Sequence, residues 1–374
     1  MVSLEKKIKK TTIEIFLQDV KAVEESYMKR VKTILFFAVY AGCLLPRAFG
    51  QDLHFSQFMN SPLLTNPANT GFIPDGDYRL GVNFRNQWSS ITAFPYKTMS
   101  AFGDVQTMQN SDNTGWLGLG GVILRDVAGT GALTSTKIYG SVAYHQMVDA
   151  GSLISLGFNV GWANKNINTS NLTFPSQWNG KFFDVHNNTV APKLDVNNIN
   201  YLDIQVGANY AYFPTEKVYL NAGFSAMHVN RPRESFFDQE QGIDNRVPVR
   251  YTGFLNGSFM VNDRVIVNPN LYGSLQARSY EIVGGLNAHY NLSGDGEKVL
   301  IAGAYYRYKD AVIPMIGLGY KDFTFTFTYD ATMSTLKTYN NGRGAFEFSL
   351  IKQGVVDRYN GNKRESMCPS FKNY

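Results

Sequence analysis

At 374 residues the chain is long enough for one large domain or two ordinary ones, yet only 17% of it is charged, while Gly (34), Tyr (22) and Phe (26) abound. A soluble enzyme of this length carries more Lys and Glu and fewer Tyr and Gly, so the composition points to a β-rich chain whose surface partly faces something other than water. The formal charge of +5 is local: residues 1–50 hold nine Lys/Arg and five Asp/Glu, leaving 26 basic against 25 acidic residues beyond Gly50, and the balance implies no nucleic-acid partner.

Residues 28–50 read as a secretory signal peptide. "MKRVK" is a positive n-region, "TILFFAVYAGCLL" (33–45) is an apolar stretch too short to span a bilayer comfortably, and "RAFG" offers Ala48 and Gly50 in an A-x-G cleavage pattern. Residues 1–27 are then an upstream extension ahead of an initiator at Met28, and the mature chain starts at Gln51. A lipoprotein reading through Cys43 is weaker, because Tyr40 stands where a lipobox wants Leu or Val. With Cys43 in the leader, Cys368 has no disulfide partner and no Cys-based zinc site can form.

Segment 51–77 has no helical period and no strand alternation. It nevertheless carries Phe55, Phe58, Phe72, Leu63 and Leu64, and it is stiffened by Pro62 and Pro67. A free periplasmic tail would be polar and poor in rings. Residues before proline are pushed to extended geometry, which predicts Ser61 and Asn66 extended, and residues 66–69 read as a turn. The amides of Asn60, Asn66 and Asn69 suit backbone groups that no ladder reaches. The segment is expected to fold back into the periplasmic mouth of a barrel, its rings on lumen aromatics, as a plug or as a surface for a periplasmic partner. The plainer alternative is a disordered leader.

From Tyr78 onward the pattern is period two. Tyr78, Leu80, Val82 and Phe84 alternate with Arg79, Gly81, Asn83 and Arg85; Ile154, Leu156, Phe158, Val160 and Trp162 alternate with Ser155, Gly157, Asn159 and Gly161. Fourteen such segments start near residues 78, 96, 115, 134, 152, 200, 217, 249, 264, 279, 298, 311, 321 and 343. Most run roughly 9–13 residues, against ~5–6 for globular strands and ~9–11 for a tilted strand crossing a bilayer. Rings at strand ends (Trp88, Tyr96, Trp116, Trp162, Tyr212, Tyr290, Tyr329) suit interfacial girdles.

The prediction is an all-β transmembrane antiparallel barrel of about 14 strands over residues 78–352, with 353–374 as a periplasmic tail. With both termini periplasmic, the long connections 165–199 and 230–248 are the fifth and seventh and fall outside, while the short 148–151, 213–216 and 261–263 fall inside. A soluble β-sandwich would also alternate, with shorter strands and a Lys/Glu-rich outer face.

Little in the chain suggests chemistry. The five histidines (54, 145, 186, 228, 289) form no HExxH and no i, i+4 pair; His145 and His289 fall on lumen faces, where a polar lining role is commonest. No nucleotide, dinucleotide or G-x-S-x-G motif is present, and "NGRG" (341–344) reads as a turn. No cofactor, metal or enzymatic role is expected, although a lumen Ser/His pair is a known route to hydrolysis. "NTS" (168–170) and "NLT" (171–173) match glycosylation acceptors, which here mark only an exposed loop. The lumen faces show no ring of one charge sign, which disfavours an ion-selective porin. In the 165–199 loop, Phe174, Trp178, Phe182 and Phe183 among many amides are candidate partner-binding residues; the alternative is a solvated, mobile loop.

The motifs together resemble one family. Gln51, Asp52, Phe55, Ser56, Gln57 and Phe58, then Asn66, Pro67, Ala68 and Gly71, then Arg85, Gln87 and Trp88, then Pro95, Tyr96 and Thr98 follow the opening pattern of the PorP/SprF proteins of the Bacteroidetes type IX secretion system. "YDATMSTL", "NGRGAFEFSL" and the terminal Cys368, Pro369 and Phe371 resemble its closing segment. Leu53 replaces the usual proline, Asn69 and Thr70 stand where a Tyr or Ala pair is common, and "KNY" extends past Phe371. The resemblance implies an outer-membrane barrel related in shape to fatty-acid channels, without cofactor or enzymatic activity. It implies outer-membrane lipid, the type IX secretion machinery, a secreted adhesin of the gliding-motility kind and a periplasmic peptidoglycan-associated protein as partners. A passive or substrate-specific uptake channel is the alternative function.

Overall fold

In this chain the usual sidedness of a protein is reversed. Leu80 and Val82 are half exposed, whereas their neighbours Arg79, Asn83 and Arg85 are buried. A strand that points apolar residues outward and polar residues inward fits a closed sheet in lipid, whose interior meets the polar face with water or with other polar groups. The computed structural model describes residues 55–356 apart from 75, 113, 170, 171, 173, 185–193, 195 and 238–244.

Fourteen strands close the sheet: β1 (Tyr78–Gln87), β2 (Tyr96–Thr107), β3 (Gly115–Ala128), β4 (Leu133–Asp149), β5 (Ser152–Asn166), β6 (Asn198–Thr215), β7 (Val218–Met227), β8 (Arg250–Asn262), β9 (Val265–Gln276), β10 (Ser279–Asn291), β11 (Lys298–Arg307), β12 (Ala311–Tyr320), β13 (Phe323–Thr332) and β14 (Arg343–Gly354). Each pairs antiparallel with its sequence neighbour, and β14 returns to β1 from Tyr78↔Gly354 to Gln87↔Ala345, so no edge is left open. The fold is the antiparallel fourteen-stranded barrel that the alternation predicts.

Strands of 10 to 18 residues are long enough to cross a bilayer. The barrel is taller on one side, because β6 continues from Asn198 to Gln205 before its pairing with β7 begins at Val206↔Ala226. Tyr78 and Gly354 share one end with the tight connections 150–151, 216–217, 263–264 and 321–322, here the turn end. The connections 167–197 and 228–249 share the other, the loop end.

Exposed rings at strand ends include Tyr96, Trp162, Tyr212, Tyr290 and Tyr329. Trp116 departs from that pattern. It is only 7% exposed and points inward, where its Nε1–H donates to the Gly71 carbonyl at 3.0 Å. It shares strand parity with inward Val122 and Leu124, and that parity, not its place near a strand end, decides its direction.

Candidate functional site: the filled lumen

Residues 55–73 lie inside the barrel and run along its axis. They are built from single turns: 3₁₀ turns at Phe58–Asn60 and Pro67–Asn69 and one α-helical turn at Pro62–Thr65. Proline opens two of the three turns, where its missing N–H costs nothing. Asn66 is extended (φ −157°, ψ 124°), and its side chain accepts the Ala68 N–H at 2.9 Å. Ser61, also before a proline, instead takes φ −127°, ψ 56°, outside the extended region predicted for it. Its carbonyl accepts the Thr65 N–H of the α-turn at 3.0 Å, which holds it there.

Three apolar side chains anchor the segment in three separate clusters. Phe72 packs at the turn end with Trp116, Met147, Leu153 and Phe213. Leu63 packs midway with Phe102, Val122 and Tyr139. Phe58 packs toward the loop end, stacked on Tyr272 at 5.0 Å and against Val283, Tyr305 and Ile313. Between the anchors, amides bond to the wall: Asn66 Nδ2 donates to the Ala208 carbonyl at 2.9 Å and Asn159 Nδ2 to the Leu63 carbonyl at 3.3 Å. Wall glycines make room for this. A Cβ on Gly157 would lie 2.2 Å from the Ala68 nitrogen, and one on Gly118 would lie 2.0 Å from the Thr70 oxygen.

The expected fold-back into the turn-end mouth therefore describes only the last part of the segment. There Gln106 Nε2 donates to the Ile73 carbonyl at 2.8 Å, and the Gly71 N–H donates to Asp104, which also pairs with Arg79 at 2.7 Å. The first described residues lie near the loop end, in a buried ionic cluster. The Ser56 and Gln57 N–H groups donate to the two Glu347 oxygens at 2.7 and 3.0 Å. The Ser56 hydroxyl donates to Asp330 and accepts from Arg85 Nη1 at 2.7 Å and from Arg307. Arg85 also pairs with Glu347, and with Asp330 at 3.0 Å; Arg307 pairs with Asp330 at 3.0 Å, Glu281 at 2.9 Å and Asp310 at 3.1 Å. The Asp310 side chain is exposed at the edge of the cluster; the other five charges are buried and are tolerated there because every one is paired.

Ser56 and Gln57 of the opening motif and Arg85 of the first-hairpin motif thus meet in one cluster. Phe55 is buried beside them, Phe58 is the loop-end anchor, Asn66 and Pro67 form the mid-lumen turn, and Gly71 takes φ +67° against Gly118. Gln87 accepts weakly from Arg85 at 3.4 Å; Trp88 stands edge-on to Tyr96 at 5.2 Å on the rim, and Pro95 lies in the connection between them, apart from the cluster. In the 167–197 connection Trp178 and Phe183 form a bridge with ring centroids 5.2 Å apart, Phe182 is exposed and Phe174 is half-buried. Cys368, Pro369 and Phe371 lie outside the described residues.

Sequence reading missed Asp330, Glu347 and Arg307 as partners of the opening motif. Asp330, inside "YDATMSTL", is the one charged residue of β13, and Glu347, inside "NGRGAFEFSL", is the one acid of β14; both are on inward positions. That isolation is the signal, since a lone lumen charge demands a partner. His145 bonds Ser155 Oγ through Nδ1 at 2.7 Å and the Thr70 carbonyl through Nε2 at 2.8 Å. Both side chains are fully buried, so this Ser/His pair ties the segment to the wall. Among the described residues no three His, Cys, Asp or Glu side chains gather as metal ligands.

No curated protein matches the chain. In structure it is similar to a FadL homologue of Pseudomonas aeruginosa, at 11% identity and a TM-score of 0.47, over 79% of this chain and 94% of that one. It is similar also to the Pseudomonas putida toluene transporter TodX (10% identity, TM-score 0.46, 78% and 92%) and the Ralstonia pickettii toluene transporter TbuX (11%, 0.44, 79% and 94%). The family model described as type IX secretion system membrane protein PorP/SprF matches residues 48–351, nearly the whole barrel and its lumen segment. The chain is an outer-membrane β-barrel and belongs to the PorP/SprF family of type IX secretion system membrane proteins.

Proposed function

We propose that this barrel assists secretion and surface anchoring of an adhesin, of the gliding-motility kind, by docking it outside the lumen and not by passing it through. The observation that supports this is the lumen segment, fixed from Ser56 at the ionic cluster to Ile73 at the turn end. A polypeptide could use this lumen only if all three anchors and the cluster came apart.

With the long connections facing outward, Trp178, Phe182 and Phe183 offer cargo an exposed aromatic patch. Rings of this kind dominate binding energy at protein interfaces. The turn end faces the periplasm and meets the secretion machinery through a peptidoglycan-associated protein. Deleting the gene should remove a large adhesin from the surface and leave solute uptake unchanged. Replacing Trp178 and Phe182 by Ala should release the adhesin to the medium while the barrel still assembles. An intact surface proteome with one impaired nutrient would instead favour the uptake channel.

A further inference from the structure

The outer face of the barrel carries positive charge on one side of its turn end. In the turn-end half of the strands, the cationic residues at outward positions are Lys298 and Lys352. The register sets them in one row across four neighbouring strands. Lys298 stands opposite Tyr320, Tyr320 opposite Phe323, and Phe323 opposite Lys352. Directly opposed residues share a face of the sheet, and Tyr320 and Phe323 are exposed on the outer one. Lys321 adds a third ammonium group from the turn between β12 and β13.

These ammonium groups stay beside rings. Lys352 Nζ lies 5.3 Å from the centre of the Phe323 ring and 6.0 Å from that of Tyr78, and Lys321 Nζ lies 5.6 Å from that of Tyr320. Such contacts hold a cation at the level of the rings, and outward rings at strand ends mark the depth of the lipid headgroups. Asp295, Glu297 and Asp322 belong to the same corner, but they stand in the turns, on the aqueous side of the row. At headgroup depth these four strands present positive charge alone.

Place and charge together name the occupant. The outward face of a membrane strand meets lipid, so what fills this row arrives from the bilayer. Lysines at the membrane surface attract anionic headgroups, and they repel the amine of a zwitterionic one. Three strand spacings of ~4.8 Å separate Lys298 from Lys352, with Lys321 between them, so the three ammonium groups surround one patch of headgroup size. The Tyr320 and Phe323 rings floor that patch and offer apolar faces to the glycerol and upper acyl chains. With the long connections facing outward, the patch lies in the periplasmic leaflet.

We propose that Lys298, Lys321 and Lys352 bind the phosphate of an anionic phospholipid of the periplasmic leaflet, seated on Tyr320 and Phe323. The proposal does not depend on the cargo role. The test is native mass spectrometry of the mature barrel, stripped of lipid in detergent and titrated with cardiolipin, phosphatidylglycerol or phosphatidylethanolamine of matched acyl chains. Both anionic lipids should bind about tenfold more tightly than phosphatidylethanolamine. Lys298→Gln and Lys352→Gln should each weaken that binding about fivefold, whereas Lys352→Arg should keep it. Lys97→Gln, at an exposed lysine of the loop end, should leave it unchanged. Gel mobility reports whether each variant has folded. Equal binding of the anionic and zwitterionic lipids to the unmodified barrel would overturn the proposal. So would full-strength binding by a folded barrel carrying both Gln substitutions, or displacement of the lipid by millimolar inorganic phosphate, which would mark a site for a soluble anion.

Discussion

Glu347 Oε1 accepts the main-chain N–H of Ser56 at 2.7 Å, joining the start of the described chain to its last strand across 291 positions. The same carboxylate takes the Gln57 N–H and pairs with Arg85, so one side chain holds both the lumen segment and β1. Replacing Glu347 by Ala leaves two buried N–H groups unanswered and Arg85 dependent on Asp330. Breaking a buried pair costs ~3–5 kcal/mol. The expected result is faster amide exchange at residues 56–60, with exchange in the β4 to β6 wall unchanged. Equal exchange throughout would mean that the cluster does not hold the segment.

Gly157 tests the fit between wall and segment. Its missing Cβ is the space occupied by Pro67 and Ala68, whose backbone atoms would lie 2.2 to 2.5 Å away. Gly157→Ala should displace the mid-lumen turn and destabilise the packing by ~1–3 kcal/mol. Gly140→Ala is the matched control, since its nearest neighbour is the Val160 oxygen at 3.9 Å. Protease cleavage within 61–70 should rise in the first variant and not in the second.

The barrel was legible in the sequence because membrane strands must alternate for their whole length; from Leu80 to Phe348 the outward residues are mostly apolar, and the inward ones are polar or small except where large apolar side chains pack on the lumen segment. Strand starts agree to within two residues, β13 beginning at Phe323 where 321 was expected. The depth of the lumen segment was not legible. Nothing local in "HFSQFMNSPLLTNPANTGF" says that Ser56 meets Glu347, because that contact depends on barrel diameter and strand stagger, which no period records. Its trace in sequence is indirect: inward glycines at 118 and 157, and single inward acids at 330 and 347. Trp116 shows the opposite failure, a ring assigned by its nearness to a strand end when parity already placed it inside.

Orientation can be checked at Lys181, an exposed residue of the 167–197 connection. A Lys181→Cys substitution in a Cys368→Ser background should react with an impermeant maleimide on whole cells, because long connections of such barrels face outward. Labelling only after lysis would place the loop end in the periplasm and remove the aromatic patch from the cargo's reach.

Deleting residues 53–70 tests whether the segment closes the pore. The deletion removes two of the three anchors, Phe58 and Leu63, each fully buried and contributing ~1.5–3 kcal/mol by burial alone. It also removes the Ser56 and Gln57 donors from Glu347 and Asp330. The wall does not need these groups to close, since β1 pairs with β14 and β2 by its own backbone. Water entering the lumen would rehydrate Arg85, Asp330 and Glu347, and their mixed signs give no strong ion preference. The shortened barrel should therefore assemble, lose some thermal stability, and show large, weakly selective conductance steps in planar bilayers where the intact barrel shows few. Unchanged conductance would mean that the lumen is blocked by something other than this segment, or that the segment already leaves a path for ions.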